Sequence, residues 1–313
     1  MMAYRRNMYV VFLIIAISCF YILVIFPDEN PLNYLPQKKQ IFSTNTGQES
    51  DGETRIIRKF TLKVANLGTI KLAVSLPNPL PEKPLPVLFI LGGLKTGIDS
   101  IHYVSNIGNN ILIGYDWPIE KSLPRGLNIF LRFPRIYQGI YNTPGQIAAA
   151  IEWVATQPWA EKERISLLGF SVGAIAVPAA QHIVQSQNNV NIGWTVLAYG
   201  GANLGQIVNH NTSIRPNWPK PIYGWILQYL FDPVDPKNHL PFISGKFLLI
   251  STTHDRLIPE ASSNLMQELT AYPKDFVTVQ GGHIGVGENQ ELRLAKIIKE
   301  TTTWLNTNGA INP

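Results

Sequence analysis

Six uninterrupted apolar runs constrain this chain more than any other feature. They are LPVLFILGG (85–93), NILIGYDWP (110–118), RISLLGF (164–170), GWTVLAYGG (193–201), KFLLIST (246–252) and DFVTVQGG (275–282). Each is as short as a strand, and none alternates polar with apolar residues. Runs of that kind suit strands covered on both faces, as in parallel sheets. Helical patterns separate most of them. TPGQIAAAIEWVATQ (143–157) offers Thr143 as a cap and Pro144 at the first helical position. SVGAIAVPAAQHIVQSQ (171–187) and PEASSNLMQELTAY (259–272) follow, the first carrying Pro178, which is expected to remove a hydrogen bond and bend its helix. NQELRLAKIIKETTTWL (289–305) closes the series, with Leu294, Ile297, Ile298, Thr301 and Trp304 on one stripe. Strands alternating with helices imply right-handed crossovers and an α/β domain with a mainly parallel central sheet flanked by helices. Ahead of these, KFTLKVANLGTIKLAVSLP reads as a hairpin turning at Asn66-Leu67-Gly68, which adds antiparallel strands at one edge.

The expected domain spans 56–313 and carries two aromatic- and proline-rich excursions, about 117–142 and 203–244, read as a lid or pocket wall. Residues 27–55 are polar and read as a flexible linker. Before them, Met8 to Phe26 is 19 residues without a charge, with Arg5 and Arg6 ahead of it and Pro27-Asp28-Glu29 behind. That length crosses a hydrocarbon core of about 30 Å. The expectation for 1–26 is a transmembrane signal anchor, with the bulk of the chain on the extracytoplasmic side. Two alternatives stay open: cleavage after Ala16-Ile17-Ser18, giving a secreted protein, and lipidation at Cys19.

Composition excludes several function classes. Outside the first 26 residues, 24 Lys and Arg face 21 Asp and Glu with no basic block, so a nucleic-acid partner is not expected. A single cysteine rules out an internal disulfide framework and a cysteine-based metal cluster. No metal-ligating spacing stands out, and no cofactor is expected. Asn211-Thr212-Ser213 forms a glycosylation sequon. Arg125, Arg132 and Arg135 offer either an exposed basic face or a contact for an anionic substrate or lipid headgroup.

The chemistry-bearing pattern is Gly169-Phe170-Ser171-Val172-Gly173, where the third apolar run becomes a helix. A serine held in that tight turn presents its hydroxyl above the carboxyl end of the strand, beside the positive end of the helix. A bare hydroxyl is a poor nucleophile and needs a base, which in turn needs an orienting acid. Of six histidines, His283 sits just after the last strand among Gly281, Gly282 and Gly285, free to reach a neighbouring strand end. Asp255 lies at the end of KFLLISTTHD, with Glu260 or Asp232 as alternative acids. Ser171, Asp255 and His283 thus fall at three strand ends on one edge of the sheet.

With GFSVG, HDRLIP around Asp255, GGHIG around His283, and AAAIEWVATQP leading into RISLLGFSVG, the chain resembles the α/β-hydrolase superfamily over about residues 57–307. It is similar to the dienelactone-hydrolase and prolyl-oligopeptidase-like branches. The resemblance implies an acyl-serine mechanism with Ser171, His283 and Asp255 as triad, and an oxyanion hole from two backbone amides. One is that of Val172; the other is Gly93 or Leu94 in ILGGLKTG. This chain has Leu91-Gly92 where the family often has His-Gly, which leaves open which of the two donates. The expected function is therefore a serine hydrolase cleaving an ester, thioester or amide of a small-molecule acyl substrate. A serine peptidase and a non-catalytic scaffold on the same fold are the alternatives.

Overall fold

The computed structural model describes residues 30–36, 41–51, 54–80, 82–104, 107–121, 128–187, 190–211, 220–285 and 290–313. At its centre is one nine-stranded sheet of order β1-β2-β3-β5-β4-β6-β7-β8-β9. The strands are β1 (Ile41–Asp51), β2 (Arg55–Val64), β3 (Gly68–Pro77), β4 (Leu85–Leu91), β5 (Ile111–Tyr115), β6 (Ala160–Phe170), β7 (Ile192–Ala198), β8 (Lys246–Thr252) and β9 (Lys274–Val279). All six apolar runs form strands, and β4 to β9 are parallel to one another. The first three strands are antiparallel to one another, and β3 joins β5 antiparallel as well. The sheet is therefore mixed: five pairings are parallel and three are antiparallel, the latter at the edge that carries the expected hairpin.

The continuous apolar character of the runs has a simple cause. Alternate side chains of a strand point to opposite faces, and both faces here are covered. Val87, Phe89 and Leu91 turn to one core layer with Ile147, Ile151, Val177 and Ile183. Leu88 and Ile90 turn to the other with Ile101, Ile297 and Leu305. The helices are α1 (Asn128–Ala155), α2 (Val172–Ser186), α3 (Leu204–His210), α4 (Lys220–Phe231), α5 (Glu260–Leu269) and α6 (Gln290–Thr307). Of these, α1, α2 and α5 pack with the first layer and α6 with the second.

Four expectations change. First, the helix expected from Thr143 begins at Asn128, with Pro134 and Pro144 inside it. Thr143 is not its cap; the hydroxyl donates to the Gly139 carbonyl at 2.8 Å, within the helix. Helix α2, by contrast, matches the helix expected over 171–187, with Pro178 inside it. Second, residues read as a linker join the domain. Pro31 and Leu32 are buried in a 3₁₀ turn, and β1 pairs with β2 along the sheet edge. Third, the two excursions, read as a lid or pocket wall, meet each other at a small aromatic cluster. Tyr137, Tyr141 and Phe231 form a cluster of rings with centroids 4.4 to 6.3 Å apart, and the Tyr141 hydroxyl donates to the Leu230 carbonyl at 2.8 Å.

Fourth, the membrane helix is not upheld. Among the described residues no helix is long and apolar enough to cross a membrane, and Met8 to Phe26 lies outside them. What the described residues support is an α/β domain with no spanning helix among them. Membrane anchoring, expected from that helix alone, is left without support.

Candidate active site

Strand order places the site. The chain leaves β4 for β5 on one side and returns through β6 on the other, so the strand order reverses between β4 and β6. In an open parallel sheet the loops diverge at such a point and leave a crevice at the carboxyl ends of the strands. Gly93 and Leu94 follow β4 there, and Ser171 and Val172 follow β6.

Ser171 occupies a turn that an L-residue adopts only under strain, with φ 56° and ψ −115°. Its amide donates to the Ala198 carbonyl of β7 at 2.8 Å, which fixes the turn against the neighbouring strand. The flanking glycines answer to close approach. A Cβ on Gly169 would lie 2.7 Å from the Ala174 amide nitrogen, and one on Gly173 would lie 1.9 Å from the Leu91 carbonyl oxygen. The bend that exposes the serine therefore needs α2 pressed onto the end of β4, and no side chain fits between them.

His283 follows β9 and Asp255 follows β8. The Ser171 Oγ lies 2.7 Å from His283 Nε2, and His283 Nδ1 lies 2.7 Å from Asp255 Oδ2. The imidazole and carboxylate are largely buried, at 3% and 8% side-chain exposure. The second carboxylate oxygen accepts from the amides of Leu257 at 2.8 Å and Ile258 at 2.9 Å. Burial opposes ionisation of Asp255, but hydrogen bonding and charge from His283, with the Ile258 and Leu257 amides, outweigh it and hold the pKa below the ordinary value. An ionised Asp255 accepts from Nδ1–H, which leaves Nε2 of the neutral ring to accept the serine proton. The three groups named from the sequence thus form one hydrogen-bonded line.

Val172, Gly93 and Leu94 line the same cavity as Ser171 and His283; its volume is about 520 Å³. As the first residue of α2, Val172 has an amide with no carbonyl partner inside the helix. The alternative acids lie elsewhere: Asp232 pairs with Lys237 at 2.8 Å, and Glu260 is exposed at the start of α5. Arg132 pairs with Glu120 on the surface and Arg135 is exposed, while Arg125 lies outside the described residues. Among the described residues of the two excursions, Lys121 alone lines the cavity. Among those residues, too, no group of three or more His, Cys, Asp or Glu is placed to hold a metal ion.

Two neighbours of the line were not named from the sequence. Tyr199, at φ 58°, sets its ring edge-on to His283 with centroids 5.5 Å apart and an interplanar angle of 89°. His210, on α3, lies with Nε2 2.9 Å from the Asp255 carbonyl and donates to it. Tyr199 carries a legible trace in the sequence, since it follows a strand directly before Gly200-Gly201. His210 carries none, because its position depends on how an irregular excursion folds.

Known structures place this architecture. No protein-family model matches the chain, and no curated protein matches it in sequence. Solved structures do match. An acetyl xylan esterase from Paenibacillus sp. R4 is similar at 15% identity and a TM-score of 0.62, covering 88% of this chain and 99% of that one. Acetyl xylan esterase 1 from Thermoanaerobacterium sp. JW/SL YS485 is similar at 14% identity and a TM-score of 0.59, with 86% and 90% covered. An esterase from Pyrobaculum calidifontis gives 13% identity and a TM-score of 0.54, with 85% and 86% covered. The chain has the α/β-hydrolase fold, and these structural neighbours of it are esterases.

Proposed function

We propose that the chain is a serine hydrolase of carboxylic esters. The observation that carries this reading is the unbroken line from the Ser171 hydroxyl through His283 to Asp255, 2.7 Å at each step, at the rim of a cavity. The esterase neighbours agree with it.

The chemistry follows from the geometry. As the Ser171 oxygen attacks the ester carbonyl carbon, its proton passes to His283 Nε2. Nδ1 of the resulting imidazolium keeps its proton and donates to the Asp255 carboxylate, whose charge balances the new one. The carbonyl oxygen, now negative, takes hydrogen bonds from the Val172 amide and from Gly93 or Leu94; each such donor contributes about 3 kcal/mol to lowering the barrier. The C–O bond then breaks, and His283 returns the proton to the departing alcohol. Water repeats the sequence on the acyl-serine and releases the acid, restoring the free hydroxyl.

The test is direct. A fluorophosphonate labels Ser171 in the native chain, and Ser171→Ala abolishes both labelling and p-nitrophenyl ester turnover while leaving the melting temperature near native. Turnover surviving in Ser171→Ala refutes the proposal.

A further inference from the structure

Six side chains around Ser171 are large, apolar and only half-buried: Leu94, Val172, Leu257, Ile284, Leu294 and Ile298. They come from five separate segments, and all line the one cavity. Lys95, Tyr103, Lys121, Gln290 and Glu291, which line it too, are all exposed. The lining thus sorts into an apolar wall and a polar rim.

Helix α6 makes the division plain. Ile297, Thr301 and Leu305 are fully buried and turn into the core. Leu294 and Ile298, one turn apart and therefore on one face, border the cavity instead. The sequence pattern merges these two sets into one stripe; the fold gives them different neighbours. Apolar surface turned to an open cavity gains free energy only when something apolar displaces the water there.

We infer that, granted the serine ester chemistry proposed above, the substrate is an ester bearing an alkyl chain of several carbons, which lies along the wall made by Ile284, Leu294 and Ile298. Burying each methylene against that wall raises kcat/KM about fourfold.

Two substrate series on the full chain test this. One lengthens the acyl group of p-nitrophenyl esters from acetate to octanoate. The other lengthens the alcohol of alkyl acetates from methyl to hexyl. A rise of about fourfold per methylene in the first series places the chain on the acyl side, and a rise in the second places it on the alcohol side. Leu294→Asn flattens whichever slope is found, with Leu294→Ser in its place if that variant does not fold. Both series flat between two and six carbons, with Ser171 still labelled by a fluorophosphonate, overturns the inference and leaves the hydrolase reading standing. An unchanged slope in the folded Leu294 variant overturns the wall on α6. No labelling of Ser171 overturns both readings.

Discussion

Alanine at Gly173 tests the geometry of the bend with a single carbon. Its Cβ would sit 1.9 Å from the Leu91 carbonyl oxygen, where real Cβ atoms do not come within 3.0 Å. Both partners are backbone, one in a central strand and one in a helix, so no side chain can rotate away. The start of α2 must retreat from β4 by about 1 Å. Overpacking of this kind costs about 1–3 kcal/mol. Against it stands the helix preference of alanine over glycine, about 1 kcal/mol at most and less at a helix end. The net loss is about 1–2 kcal/mol, or roughly 2–8 °C in melting temperature for a domain of this size. Catalysis loses more, because the same retreat widens the gap between the Val172 amide and that of Gly93 or Leu94. A misplacement of about 1 Å costs on the order of a hundredfold in rate. Calorimetry reads the first effect and the second-order rate of fluorophosphonate labelling the second. Gly193→Ala is the control: its Cβ meets nothing within 4 Å and its φ is not positive, so melting and labelling stay native. A Gly173→Ala protein that melts within 1 °C of native and labels at the native rate refutes the account of the bend.

Asp255→Asn keeps the shape of the line but reverses a hydrogen bond, forcing the proton of the neutral imidazole onto Nε2; kcat falls about 10⁴-fold, measured with p-nitrophenyl esters. Because the folded protein holds the Asp255 pKa below its ordinary value, native stability falls as pH drops below that value toward the folded one; urea melts show a shallower acid loss in Asp255→Asn. His239 provides a second pH effect away from the site. Its Nδ1 lies 3.0 Å from His182 Nδ1 and its Nε2 donates to the Pro233 carbonyl at 2.7 Å. Burial pushes its pKa down from 6.5 to about 4. The unfolded chain therefore binds the proton first, and stability is lost as pH falls from about 6.5 to about 4, by roughly 3 kcal/mol in all. In His239→Gln, urea melts across that range show a smaller slope.

How much of this the sequence discloses depends on what each residue answers to. The six parallel strands were legible because burial on both faces demands apolar residues throughout, and each run ends where a strand ends within a few residues. Ser171, Asp255 and His283 were legible because strand ends on one edge are neighbours whatever the loops do. Strand β1 was hidden, since Ile41–Asp51 is mostly polar and joins the sheet by main-chain pairing with β2. The start of α1 was hidden because Thr143 and Pro144 make a plausible helix start, whereas the helix begins at Asn128 and runs through both Pro134 and Pro144. The excursions misled for a different reason. Of their aromatics, Tyr137, Tyr141 and Phe231 pack on one another, while Tyr223, Trp225 and Phe242 are exposed. Only coordinates separate Leu294 and Ile298, which border the cavity, from Ile297, which is buried in the core.

The line from Ser171 to His283 crosses 112 residues of chain. A ribosome adding about 5–20 residues per second makes the alcohol roughly 6–20 s before its base. For that interval the nascent polymer carries a hydroxyl no more reactive than that of any other serine. On the proposed chemistry, hydrolysis switches on only after the last parallel strand has been made and docked, so a truncated translation product cannot act as a stray esterase.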